Sequence, residues 1–158
     1  MSNEIDAKIS RAEKALEQFG YGRIGVSARE FYDWMAGEIF SDDPTTLRDV
    51  LGSECLMIHE MVEISEVKKM GRTIDKRVIV DSPKIVIYDA HLAATEMELK
   101  YAICKGDTFW AKIRLRQYKE SVLDEDPNLP EELRTRAEKL YKKYRALAKQ
   151  ASEQPLRL

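Results

Sequence analysis

The chain holds two histidines. Both stand beside carboxylates on apolar stretches, in Ile58-His59-Glu60-Met61-Val62-Glu63-Ile64-Ser65-Glu66 and in Asp89-Ala90-His91-Leu92-Ala93-Ala94-Thr95-Glu96-Met97-Glu98. Imidazole and carboxylate together serve proton transfer, ion pairing and metal ligation. Such groups are seldom buried unless they pair, hydrogen-bond or hold a metal, so the two stretches predict a polar constellation inside a helical protein. At roughly 100° per residue, His59, Glu63 and Glu66 fall in one stripe of a helix. Leu51, Cys55, Ile58 and Val62 flank the stripe on one side, and Leu56 and Val67 on the other. On the second segment His91, Thr95 and Glu98 share one stripe, and Asp89 and Glu96 share another roughly opposite. Only one set can face the first helix, and His91 with Glu98 is preferred.

The candidate metal ligands are therefore His59, Glu60, Glu63, Glu66, His91 and Glu98. Helical bundles build metal sites in this way, from inward side chains on facing helices. Mixed nitrogen and oxygen donors suit zinc, manganese or iron, whereas carboxylates alone suit magnesium. Two familiar spacings are absent. Glu63 stands where His-Glu-x-x-His needs its second histidine, and there is no Glu-x-x-His. Ligation by an unperturbed imidazole would weaken below about pH 6. In the competing reading the histidines are satisfied core residues, and the glutamates pair with Lys68, Lys69, Arg72 or Lys100.

The run His59-Glu60-x-x-Glu63-x-x-Glu66 resembles the Glu-Glu-x-x-Glu helix of the all-α nucleotide pyrophosphohydrolases, the dUTPase-like helical superfamily. Those proteins bind magnesium through carboxylates on two adjacent helices. The resemblance covers about ten residues of motif. It implies Glu60, Glu63 and Glu66 as metal ligands and hydrolysis of a phosphoanhydride as the activity. This chain departs from the family at His59, which replaces a glutamate, and at Glu96-Met97-Glu98, which lacks the family's second Glu-x-x-Asp spacing.

The elements that must position these groups read as an all-α, single-domain bundle of about six helices spanning residues 1–158. Ile5, Ile9, Ala12, Leu16 and Phe19 give an amphipathic helix over 3–19, closed by Gly20. Ser27-Ala28-Arg29-Glu30 has the form of a capping box and opens a helix through Trp34 and Ile39. Asp43-Pro44 starts the longest helix, running from Thr45 to Met70 and ending at Gly71. Ser82-Pro83 begins another, with Ile85, Tyr88, Leu92, Leu99 and Ile103 on one side and Gly106 as its stop. The rival reading is a short β-hairpin over 78–87, pairing Val78-Ile79-Val80 with Ile85-Val86-Ile87. Asp107 caps a helix through Trp110, Ile113 and Tyr118. Pro130-Glu131-Glu132 opens the last, with Leu133, Ala137, Leu140, Tyr144 and Leu147 in step, and the tail 152–158 reads as loose.

Composition narrows the classes of function. The chain has 158 residues, 44% hydrophobic, enough for one real core. A net charge of -2 with 34% charged residues gives no reason to expect nucleic acid as a partner. No apolar run approaches the roughly 18 residues of a membrane helix, and the charged N-terminus lacks the form of a signal peptide, so a soluble, cytoplasmic protein is expected. Cys55 and Cys104 read as reduced core residues. Gly20-Tyr21-Gly22-Arg23-Ile24-Gly25 matches G-x-G-x-x-G but follows a helix, which makes it a link and not a phosphate cradle. Lys112, Arg114, Arg116 and Lys119 form a basic cluster that reads as a solvated helix face, with phosphate or an acidic partner as the alternative. The apolar stripe of the last helix, with Tyr141 and Tyr144, is either core or the seam of a homo-oligomer. Three readings follow. The first is a metal-dependent hydrolase using magnesium, manganese or zinc, with a metal-bound water as nucleophile. The second is a metal or small-ligand module without turnover, and the third a structural or oligomerisation domain with a satisfied polar core and no cofactor.

Overall fold

Side chains that satisfy free amides set four of the helix starts, at Ser27, Thr46, Ser53 and Asp107. Ser27 Oγ accepts from Glu30 N at 3.1 Å while the Glu30 carboxylate accepts from Ser27 N at 3.0 Å, the reciprocal cap read from the sequence. Asp107 accepts from Trp110 N at 3.0 Å. Gly20, Gly71 and Gly106 follow helix ends with φ of 70°, 85° and 79°, a left-handed conformation that disfavours other residues.

The structure, a computed structural model, describes residues 2–41 and 43–153. Its helices are α1 (Ser2–Gln18), α2 (Ala28–Ala36), α3 (Leu47–Leu51), α4 (Glu54–Lys69), α5 (Val78–Asp81), α6 (Lys84–Cys104), α7 (Thr108–Tyr118) and α8 (Glu131–Glu153). A π-helical turn over Lys119–Asp124 continues α7. The fold is all-α, with no strand among the described residues. No helix among the described residues is long and apolar enough to cross a membrane.

Several boundaries differ from expectation, each for a local reason. The helix expected over 45–70 is two helices. Asp43 Oδ1 accepts from Thr45 N at 2.9 Å and makes a turn, so α3 starts later, from a Thr46/Asp49 capping box. Gly52 ends α3, and Ser53 opens α4 by accepting from Leu56 N at 3.2 Å. The longest element is consequently α8, at 23 residues. α2 stops at Ala36 and does not reach Ile39. At Gly37 the chain meets the Lys76 carbonyl so closely that a Cβ would lie 2.7 Å from its oxygen. The alternative hairpin at 78–87 is absent. Arg77 pairs with Asp81 across one helical turn, Val78 and Ile87 pack into the core, and tertiary packing overrides β-propensity. Ser82 does not cap α6, because its hydroxyl accepts from Arg72 Nε at 3.1 Å. Ile85 and Leu147 stand exposed at 42% and 39%, in place of the core positions their spacing implied. Of the tail 152–158, Ser152 and Glu153 belong to α8, and 154–158 lie outside the described residues.

The core is organised on α4 and α6. Contacts pair Glu54 with Tyr101, His59 with Glu98 and Glu63 with His91, so the two helices run antiparallel. α4 buries ten of its 16 residues and α6 ten of its 21, as expected of helices apolar nearly all round. α1 covers α4 with Ile5, Ile9, Ala12 and Leu16. α8 covers α6 and α7 with Ala137, Leu140, Tyr144 and Ala148, so the stripe read as a possible oligomer seam is core. Each fully buried aliphatic here contributes roughly 1.5–3 kcal/mol by leaving water.

The two cysteines part company. Cys55 is buried, and burial, with the charges of Glu98, Asp107 and Glu54, pushes its thiol up to about 12. Cys104, expected in the core, is exposed at the last residue of α6. An aromatic disulfide reagent at neutral pH is expected to titrate Cys104 rapidly and Cys55 only on unfolding. Two rapid thiols would contradict this packing.

Candidate metal centre

His59 and Glu63 are one turn apart on the inner face of α4, and the antiparallel α6 brings His91 and Glu98, two turns apart, against them. The rings of His59 and His91 meet edge to face with centroids 5.0 Å apart. His59 Nε2 contacts the Glu63 carboxylate, and His59 Nδ1 lies 2.8 Å from Glu98 Oε1. His91 Nδ1 approaches Glu63 Oε1 at 3.2 Å. One donor atom each from His59, Glu63 and His91 falls within 4.8 Å of the others, a spread one ion can bridge. The His91 side chain is 30% exposed and forms the rim of the cluster toward solvent.

Glu98, 1% exposed, lies behind this trio. Its Oε2 accepts from Trp110 Nε1 at 2.7 Å and from Arg114 Nε at 2.6 Å, and Arg114 Nη2 donates to Oε1 at 3.0 Å. Burial alone would raise its pKa, but hydrogen bonding to His59 and the Arg114 charge hold it down at about 2. Both ring nitrogens of His59 face carboxylate oxygens, which requires both to carry protons. Burial opposes that imidazolium, yet the charge of Glu63 and the hydrogen bonds to Glu63 and Glu98 raise its pKa to about 10. Glu63 is held well below the usual carboxylate range, since His59 and His91 outweigh its own desolvation. Two carboxylates thus balance two cations, His59 and Arg114, in a buried network.

The remaining two candidates point elsewhere. Glu60, half-buried, turns toward α2 and accepts from Trp34 Nε1 at 2.8 Å. Burial and the neighbouring charge of Glu63 push its carboxyl upward. Glu66 lies one turn beyond the trio and is engaged by Tyr21 Oη and Lys69 Nζ, the latter at 2.8 Å. Of the six residues read as ligands, the fold gathers His59, Glu63 and His91, keeps Glu60 alongside, sets Glu98 behind His59 and leaves Glu66 outside. The opposite stripe of α6 faces α8, where Tyr144 donates to Glu96 and Arg136 pairs with Asp89.

Trp34, Trp110 and Arg114 also belong to the site, although no sequence motif marks them. Arg114 belongs by sequence to the basic cluster expected on the surface, but it points inward to Glu98. The available signal was its place four residues after Trp110, bordering the buried row Ala111, Leu115 and Tyr118. The glycine-rich link is a strap on α4, with Ile24 N donating to Ser65 Oγ at 2.8 Å and Lys68 Nζ to the Gly25 carbonyl at 2.6 Å.

No protein-family model, curated protein or solved structure matches the chain. Fold and site define an all-α bundle with a buried histidine–carboxylate cluster between its two central helices.

Proposed function

We propose that the protein binds one divalent transition-metal ion through His59, Glu63 and His91 and uses it for hydrolysis. The observation that carries the reading is the placement of Glu98. A carboxylate on Nδ1 of a histidine whose Nε2 points at the other donors is the usual support of a ligating imidazole, fixing its orientation and raising its basicity. Two imidazoles and one carboxylate suit zinc, with manganese or iron sharing the donor set. Magnesium, which the pyrophosphohydrolase resemblance implies, prefers all-oxygen sites. Three ligands leave a fourth position open, the arrangement of sites that activate water.

Calorimetric titration of metal-stripped protein is expected to give one zinc per chain, weaker manganese and no magnesium. Glu63→Gln and His91→Asn should each abolish the isotherm, and Glu66→Gln should leave it unchanged. Nucleoside triphosphates, with pyrophosphate release as readout, are the first substrates to test on the loaded protein. Zinc binding without turnover of these or of ester and amide substrates would reduce the reading to a metal module.

A second reading has its own observation. The imidazolium of His59 already satisfies Glu63 and Glu98 with protons alone, as a buried polar network that fixes helix register would. Flat titrations with all three metals on folded protein establish this reading and end the first.

A further inference from the structure

The inward turn of Arg114 leaves the rest of its basic cluster outside, where α7, the π-helical turn and α8 enclose a groove of about 510 Å³. That volume is typical of small-molecule pockets, roughly 300–1,000 Å³. One wall carries Lys112, Arg116 and Lys119, and the other Arg145 and Lys149. Leu115 and Ala148, both buried, form the floor with the half-buried Tyr141. The groove's two carboxylates, Glu120 and Asp124, belong to the π-helical turn at one end, and Asp124 pairs with Lys119 at 2.7 Å. Among the described residues no carboxylate lies within 4.0 Å of the charged atoms of Lys112, Arg116, Arg145 or Lys149.

This is an unusual concentration of charge for a chain of net charge -2. Lys112 with Arg116 and Arg145 with Lys149 are like-charged pairs at i and i+4, a spacing that destabilises a helix unless something neutralises it. A second groove, between α6 and α8, shows the ordinary solution, because there Arg136 pairs with Asp89 and Lys143 with Glu96. π-Helical turns are rare and recur at functional sites, and this one closes the end of the cationic groove.

We propose that this groove binds an oligophosphate, a short chain of linked phosphates free or carried on a small molecule. Each wall offers one guanidinium, whose fork matches phosphate oxygens, and flanking lysines as point charges. The two rows run along the groove, which matches an extended anion better than a single compact one. The site is separate from the histidine cluster and does not depend on the metal reading.

The test is calorimetric titration of the metal-stripped, full-length protein with inorganic tripolyphosphate at low salt. Binding is expected, weakening as salt rises. The exposed double variant Arg116→Gln/Arg145→Gln should lose at least tenfold in affinity while keeping its circular dichroism and melting temperature. Lys14→Gln/Lys142→Gln, which removes the same charge from exposed sites outside the groove, should bind as the unaltered protein does. Equal loss in both double variants, citrate binding as tightly as tripolyphosphate, or no binding at all would overturn the proposal. Tighter capture of a single-stranded RNA oligonucleotide would also overturn it, in favour of a nucleic-acid backbone.

Discussion

Glu98→Ala is expected to be the most destabilising single substitution in the cluster, by about 3–5 kcal/mol, the range for deleting one partner of a buried charge pair. The reason is what remains behind. Arg114 loses both of its hydrogen bonds to carboxylate oxygens, Trp110 Nε1 loses its acceptor, and His59 Nδ1 faces a cavity. In a domain of this size each kcal/mol lowers the melting temperature by about 2–4 °C, so calorimetry should resolve the effect easily. Glu98→Gln keeps the volume and one acceptor oxygen, and should cost less. Glu66→Ala provides the contrast. That carboxylate is half-buried and pairs with Lys69 near the surface, and such pairs are worth about 0–1 kcal/mol. Comparable losses at Glu66 and Glu98 would mean that the buried network does not have the energetics its geometry requires.

Together His59 and Glu98 are expected to stabilise the metal-free protein most between about pH 4.5 and 6.5, the span between the reference pKa values of glutamate and histidine, and stability should weaken steadily on the alkaline side, where the upward-pushed carboxyl of Glu60 adds to the loss. The folded pKa of His59, about 10, lies above the ordinary histidine value of 6.5. Its contribution is therefore complete below 6.5 and is lost as pH rises through 10. Glu98 works in the opposite direction. Its folded pKa of about 2 lies below the ordinary glutamate value of 4.5, so its contribution is complete above 4.5 and lost as pH falls through 2. Each tenfold in a protonation equilibrium is worth about 1.4 kcal/mol, so the alkaline loss should reach several kcal/mol in chemical denaturation. Zinc would reverse that slope. An ion taking the place of the proton on His59 Nε2 competes with it, so apparent affinity should rise about tenfold per pH unit from 7 toward 9, with about one proton released per ion. Proton release is read by calorimetry in buffers of different ionisation enthalpy. A loaded protein that still weakens with pH as the metal-free form does would place the ion somewhere other than His59.

The helices themselves were legible because their signals are local. The Ser27/Glu30 box, Asp107 before Thr108, Pro130 before Glu131 and the glycines at 20, 71 and 106 each act within a turn or two of chain. The shared stripe of His59 and Glu63 followed from helical period alone. Period also placed His91 with Glu98 and set Asp89 with Glu96 on the other side of α6. Interior position could be read from α4 and α6 as well, since both are apolar on nearly every face.

Tertiary structure decided the division of labour among the polar groups. Period places Glu66 in the stripe of His59, but Tyr21 of the strap and Lys69 at the end of α4 claim it. It was the crossing of α6 over α4 that made His91 the partner of Glu63 and set Glu98 on the far ring nitrogen of His59. By its charge and its place in the run Lys112, Arg114, Arg116 and Lys119, Arg114 reads as a surface cation, with only its spacing from Trp110 pointing inward. Only the docking of α7 beside α6 turns it onto Glu98, and only α8 folding back along α7 collects Lys112, Arg116, Arg145 and Lys149 around one groove. Caps and amphipathic period depend on neighbours a few residues away, and a sequence displays those directly. Pairing across the two central helices joins groups 28 to 39 residues apart, and these meet only once the apolar faces have chosen how the helices pack.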